Sequence, residues 1–213
     1  SVSAFTGSLL ALLFLSGLLR YRKNFQLNDA LLSGVAMSFF FSSLIMTLQY
    51  ISDANQIAQT MQWMIGDVKV VGYKEILAVL PFYFISMTLI IRLLPQMNLL
   101  LSGHELAHTR GVDIKKVQLK IFLAVSLLTG SIVAICGPIS FIGIIVPHIA
   151  RKIVGHDQKK LFLYSLLIGG LFLATCDTIG RILIAQTEVP VGVISSFLGA
   201  PFFIYLILKQ KAS

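Results

Sequence analysis

The chain has 213 residues, of which 56% are hydrophobic and only 12% charged. A water-soluble globule cannot hide that much apolar surface, so the composition excludes one and makes lipid the solvent. The net charge of +8 would suit nucleic acid, but the positive residues sit in short connections between apolar runs, the pattern of a membrane protein.

The chain starts at Ser1 with no basic stretch before its first apolar run, so no signal peptide is read. In order, the apolar segments cover residues 4–19, 30–51, 76–94, 117–136, 139–149, 161–179 and 189–208. Most approach the ~20 residues a helix needs to cross ~30 Å of hydrocarbon. Helices are expected throughout, because lipid offers no partner to an unpaired backbone group. Two cysteines, Cys136 and Cys176, fall inside apolar runs and read as small buried hydrophobes.

The first span leads into Arg20, Arg22 and Lys23. The second begins near Leu27 and Asn28 and carries Ser33, Ser38, Ser42 and Ser43, which suit either a mildly polar pathway or bonding between helices. Residues 52–75 are amphiphilic, and Met61, Trp63 and Met64 suit a helix lying at the interface as well as an ordered loop. After the third span comes His104-Glu105-Leu106-Ala107-His108, an H-E-x-x-H pattern. On a helix it places two histidines on one face for zinc, with the glutamate as base. The position of a third histidine holds Ile114, and the motif lies in a short connection with no room for a cleft. A solvated loop helix is the better reading, and a membrane metalloprotease the alternative of another class.

Residues 117–149 would make one helix of about 50 Å, too long for a bilayer. Gly137-Pro138 is a natural break. Both flanks, 110–120 and 151–160, are basic and belong on one side, so the stretch is expected to be a hairpin whose short second limb is sheltered by protein. Seven spans follow, with the N-terminus outside and the C-terminus inside. Of the 17 Lys and Arg, 14 then lie inside and only Lys69, Lys74 and Arg181 outside. Nucleic acid is no longer needed to explain the charge. Asp177 and Arg181, four residues apart, read as an intrahelical ion pair or as an outward-facing charge site. Small residues such as Gly130, Gly169 and Gly170 suit close helix packing, and Gly199 with Pro201 suggests a kink in the last span. No phosphate-binding G-x-x-x-x-G-K-[ST] loop occurs, and the spans carry few ionisable groups, so a transport pathway here would be powered from elsewhere.

The run GPISFIGIIVPHIARKIVGHDQKKLF, residues 137–162, resembles a hallmark of permease subunits of ATP-binding-cassette importers for iron-siderophores, haem and cobalamin. DTIGR at 177–181, EVPVGVISSFLGAPFFIYLI at 188–207 and the C-terminal lysines resemble the rest of that family's signature. LLSGVAMS at 31–38, MQWMIGD at 61–67 and SGHELAHTRGVD at 102–113 match in order. Its most specific pieces are Pro147, His148 and Arg151, and Glu188, Pro190 and Gly192.

The resemblance implies an all-α transmembrane bundle, a single permease domain over 1–213 that matches the last seven of about ten family spans. It implies no catalytic residue, cofactor or resident metal. Residues 100–112, within a cytoplasmic loop of about 96–116, would form short coupling helices that dock on an ATPase, with Gly103, Glu105, Ala107 and Gly111 at the matching positions. Arg181 matches an outward-facing arginine that pairs with a glutamate of an extracytoplasmic binding protein, and the second span, from Leu27 and Asn28 through Ser33 and Ser38, matches the helix that lines the pathway and carries its gate. The implied assembly is a homodimer, or a dimer with a close paralogue, plus two ATPase subunits and the binding protein, in a bacterial cytoplasmic membrane.

Overall fold

The computed structural model describes residues 27–68, 72–103, 109–184 and 188–210, together with Gly7, Leu10 and Gly17. The expected span over 4–19 and the HELAH segment therefore lie outside the described residues, those three apart. Every described element is a helix: α1 Leu27–Tyr50, α2 Ala54–Ile65, α3 Tyr73–Leu101, α4 Ile114–Cys136, α5 Ile142–Val154, α6 Gln158–Leu183 and α7 Val191–Gln210. Five of them, α1, α3, α4, α6 and α7, are long and apolar enough to cross a membrane.

Helix starts follow local chemistry. The Asp113 side chain accepts from the Lys116 N–H at 3.2 Å and opens α4. Asp157 accepts from the Lys159 N–H at 3.0 Å and opens α6. Each satisfies one of the donors that a helix start leaves unpaired. The interfacial segment resolves as a helix: α2 has twelve residues, none of them buried, and it ends at Gly66.

Helices α3 and α4 pack against each other, α6 packs on α3 and α5, and α7 closes on α5 and α6. Small residues let the backbones approach: Ser86, Ser131 and Ser195 are all buried. Near the outer end, Cys176, Val191 and Ile194 form a core with Ile139, Phe172, Leu173, Ile179 and Val189 around it. Helix α1 has no buried residue in its apolar stretch. Ser38 and Ser43 on it each donate to the carbonyl four residues back, at 3.0 Å. Their hydroxyls thus satisfy themselves within the helix, rather than across to a neighbour.

The hairpin at Gly137-Pro138 is present, with a different second limb. Helix α4 ends at Cys136 and α5 begins only at Ile142. Its 13 residues span about 20 Å, too short to cross hydrocarbon alone. The reason lies in residues 137–141, which are not helical. Phe141 takes a left-handed conformation (φ 66°), and its carbonyl accepts from the N–H groups of Ile144 and Ile145, both at 3.0 Å. Its ring fills the notch left by Gly199 on α7. Non-helical backbone is tolerated at depth only under such cover. Gly199 thus serves close packing, and α7 runs through Gly199 and Pro201 as one helix.

Three backbone segments meet at the end of the bundle that the charges place outside. Gly192 N–H donates to the Gly66 carbonyl at 2.9 Å, and Asp67 N–H donates to the Cys136 carbonyl at 2.8 Å. Gly137 lies against the Trp63 carbonyl and the Gly66 Cα. At the opposite end, Asn98 on α3 bonds to Asp157 and Gln158 at the start of α6. Every pairing joins ends that the charge pattern had put on the same side. Helix ends on opposite sides of a bilayer cannot meet, so the packing and the charges give one topology.

Candidate functional site

Most of the described residues that the sequence singled out lie at the two ends of the bundle. At the outer end, Arg181 stands near the last turn of α6. Its Nε donates to Asp177 Oδ2 at 2.9 Å, and its Nη1 lies 3.8 Å from Glu188 Oε1. The first contact is the i, i+4 pair read in the sequence. The second joins α6 to the start of α7 across a chain reversal, which no local spacing announces. The guanidinium remains 57% exposed. Ion pairs this exposed are strongly screened by solvent and hold the side chain only weakly.

Glu188, Pro190 and Gly192, read as one motif, sit in succession at that same end. Glu188 is exposed, the Pro190 carbonyl accepts from Val193 N–H at 3.0 Å, and Gly192 is buried against α2. Of the other motif, Pro147 and His148 lie half-buried in α5, and Arg151 is exposed near its end. The His148 ring meets Phe202 of α7 edge to face, 6.1 Å between centroids. Its Nε2 is buried and has no hydrogen-bond partner among the described residues.

Between α2, the 138–140 linker and α7 opens a cavity of about 680 Å³. Met64, Ile65, Pro138, Val193 and Phe197 give it an apolar wall, and Ser140 and Ser196 add hydroxyls. The sequence offered no sign of it, since its walls come from three separate segments.

At the inner end, the segment after α3 begins with Ser102 and Gly103 and returns through Thr109, Arg110 and Gly111 to the cap of α4. Gly103 (φ 117°) and Gly111 (φ 75°) both take backbone conformations that side chains other than glycine's rarely adopt. Glu105 and Ala107, with His104 and His108, lie outside the described residues, and among the described ones no cluster of three or more metal-binding side chains occurs. Leu27 and Asn28 open α1, Ser33 is half-buried and Ser38 exposed on the same helix. Asn98 and Asp157 were not singled out by sequence reading. The only trace of their role is the aspartate at the start of an apolar run, which marks a cap and not its distant partner.

The model of the FecCD transport family matches residues 1–209. The chain belongs to that family. It is 35% identical over 210 residues to the hemin transport system permease protein of Yersinia pestis, covering 99% of this chain and 63% of that protein. It is 34% identical over 209 residues to the cobalamin import system permease protein of Halobacterium salinarum, covering 98% and 56%. It is 32% identical over 209 residues to the iron(3+)-hydroxamate import system permease protein of Bacillus subtilis, covering 98% and 62%. The chain thus spans about 60% of the length of these FecCD-type relatives. Among solved structures, one described as a metal-chelate type ABC transporter in an inward-facing conformation superposes with a TM-score of 0.82 at 26% identity. That match covers 98% of this chain and 71% of the other. The FecCD membership and the all-helical membrane fold agree with what the motifs implied.

Proposed function

We propose that this chain forms the membrane-spanning permease part of an ATP-driven importer of an iron chelate in a bacterial cytoplasmic membrane. The observation that carries the reading is the FecCD match over residues 1–209 of a bundle whose two ends carry different equipment. The outer end presents Arg181 beside the carboxylates of Asp177 and Glu188. The inner end presents a connection punctuated by Gly103 and Gly111. Relatives named for hemin, iron(3+)-hydroxamate and Fe(3+)-citrate support a metal chelate as cargo.

In this reading a second permease copy, or a close paralogue, completes the pathway, and two cytoplasmic ATPase subunits supply the energy. An extracytoplasmic binding protein delivers the cargo. Residues 100–112, with Gly103, Glu105, Ala107 and Gly111, receive the ATPase, and Leu27, Asn28, Ser33 and Ser38 line the gated helix. ATP closes the ATPase dimer, the movement reaches the bundle through 100–112, and the gates exchange. HELAH serves in that connection rather than as a zinc site.

The test is ATP-dependent uptake by the full-length permease with its ATPase and binding protein in proteoliposomes. Ferric hydroxamate, hemin and cobalamin are offered in parallel. Uptake of a ferric chelate is expected. Saturable uptake of cobalamin alone would move the cargo to the relative named for it. No ATP-dependent uptake of any of them would reject the reading.

Arg181 supplies a second expected result. Arg181→Glu would set a third carboxylate beside Asp177 and Glu188 and repel an acidic partner surface. Binding-protein affinity is expected to fall roughly ten-fold at low ionic strength, and the difference to shrink as salt screens it. Equal affinity of both versions at low salt would remove Arg181 from the docking surface.

A further inference from the structure

Asn98 lies one turn before the end of α3, and its side chain makes two hydrogen bonds to a different helix. Its Nδ2 donates to Asp157 Oδ1 at 3.2 Å, and its Oδ1 accepts from the Gln158 N–H at 2.8 Å. Its backbone carbonyl accepts from Ser102 Oγ at 3.3 Å. Ser102 is the C-cap of α3, where the chain turns toward Gly103. Asp157 is the N-cap of α6. The Asn98 side chain therefore fastens the end of α3 to the first turn of α6, close to where the chain turns at Ser102.

The chemistry of the contact is specific. A primary amide donates and accepts from the same end, which a carboxylate cannot do. The Asn98 amide, the Lys159 N–H and the neighbouring lysines hold the Asp157 carboxyl below the usual carboxylate range. The carboxyl is thus an anion at neutral pH, and the amide bond to it is charge-assisted. Both side-chain bonds of Asn98 are partly shielded from water, which strengthens them.

From this contact α6 runs 26 residues, about 39 Å, to the outer face. Asp177 and Arg181 stand near that far end. The outer end is tied in turn to the start of α7. Val189 N–H donates to the Gly180 carbonyl at 3.1 Å, and Gly180 leaves no room for a Cβ beside the Val189 carbonyl. A continuous hydrogen-bonded helix held at both ends is stiff along its axis, so a displacement imposed at its inner end would be carried to its outer end.

The geometry points to Asn98 and Asp157 as the positioning pair that passes movement of the end of α3 to α6, and along α6 to the face that carries Arg181. This rests on the importer reading above. It adds the route by which events at the ATPase reach the binding-protein side.

The test uses the full-length permease with its ATPase and binding protein in proteoliposomes. The readout is the ratio of ATP hydrolysis with loaded binding protein to hydrolysis without it, alongside uptake per ATP. N98A removes both side-chain bonds. The double variant N98D with D157N exchanges donor and acceptor across the contact, since asparagine also caps a helix well. With N98A the ratio is expected to fall at least about five-fold, and with the double variant to return to within about two-fold of the unaltered assembly. An unchanged ratio in N98A overturns the inference, as does a double variant no better coupled than N98A. Failure of N98A to assemble while the double variant assembles would assign the pair to folding alone and overturn it too. Lack of ATP-driven uptake by the unaltered assembly would instead strike the importer reading itself.

Discussion

A single methyl group added at Gly192 is expected to loosen the whole outer end of the bundle. A Cβ there would meet the Ile65 carbonyl and lie 2.8 Å from the Gly66 carbonyl, both of them backbone atoms. Neither carbonyl can yield easily, because Gly192 N–H is itself bonded to the Gly66 carbonyl at 2.9 Å. Gly66 in turn has no room beside the Pro138 carbonyl, and Gly137 none beside Trp63. The intruding carbon must therefore part α7 from α2 and break that hydrogen bond. Overpacking of this kind costs about 1–3 kcal/mol, and the lost bond about 1 more. Gly192→Ala should lower the midpoint of thermal unfolding in detergent by several degrees. Gly143→Ala is the control. It lies in the helical α5 with nothing among the described residues within 4 Å of its added Cβ, so alanine should leave stability unchanged or raise it slightly. Equal midpoints for the two variants would show that the three-glycine junction is not tight.

Gly111→Val is expected to act differently, on coupling and not on folding. Among the described residues nothing lies within 4 Å of a Cβ added at Gly111, so size alone meets no described neighbour. Its φ of 75° is not, because a β-branched residue in the left-handed region costs roughly 1–2 kcal/mol or more. That strain is expected to redirect the chain just ahead of the Asp113 cap of α4. If residues 100–112 receive the ATPase, uptake per ATP should fall by roughly ten-fold or more while the ATPase subunits continue to hydrolyse ATP. Gly111→Asn should retain much of the coupling, because asparagine tolerates left-handed backbone. Valine and asparagine variants with the same uptake per ATP would sink this role for the connection.

Much of this molecule was legible along one dimension. Apolar length placed α1, α3, α4, α6 and α7 to within a few residues, apart from the C-terminal end of α3, which runs on to Leu101. Charge forced the break at Gly137-Pro138, because two basic flanks could not lie on opposite sides. The Asp177–Arg181 pair followed from helical spacing. The family motifs singled out Pro147, His148, Glu188 and Gly192 without saying what those residues touch.

The contacts that matter most were not legible, and the reason is physical. The cost of taking apolar surface and charge across a bilayer depends on length and composition, so sequence alone determined that the chain spans a membrane, where its helices lie and which ends share a side. Lateral association within lipid gains nothing from apolarity, since the lipid tails are as apolar as the helices. It is decided by where backbones can approach and where buried polar groups find partners. Only the tertiary structure could therefore bring Gly66, Gly137 and Gly192 into one junction and turn Phe141 into the notch at Gly199. Only it could add Glu188 to Arg181, and join Asn98 to Asp157 across 59 residues. The same packing moved the short second limb of the hairpin from the expected 139–149 to Ile142–Val154.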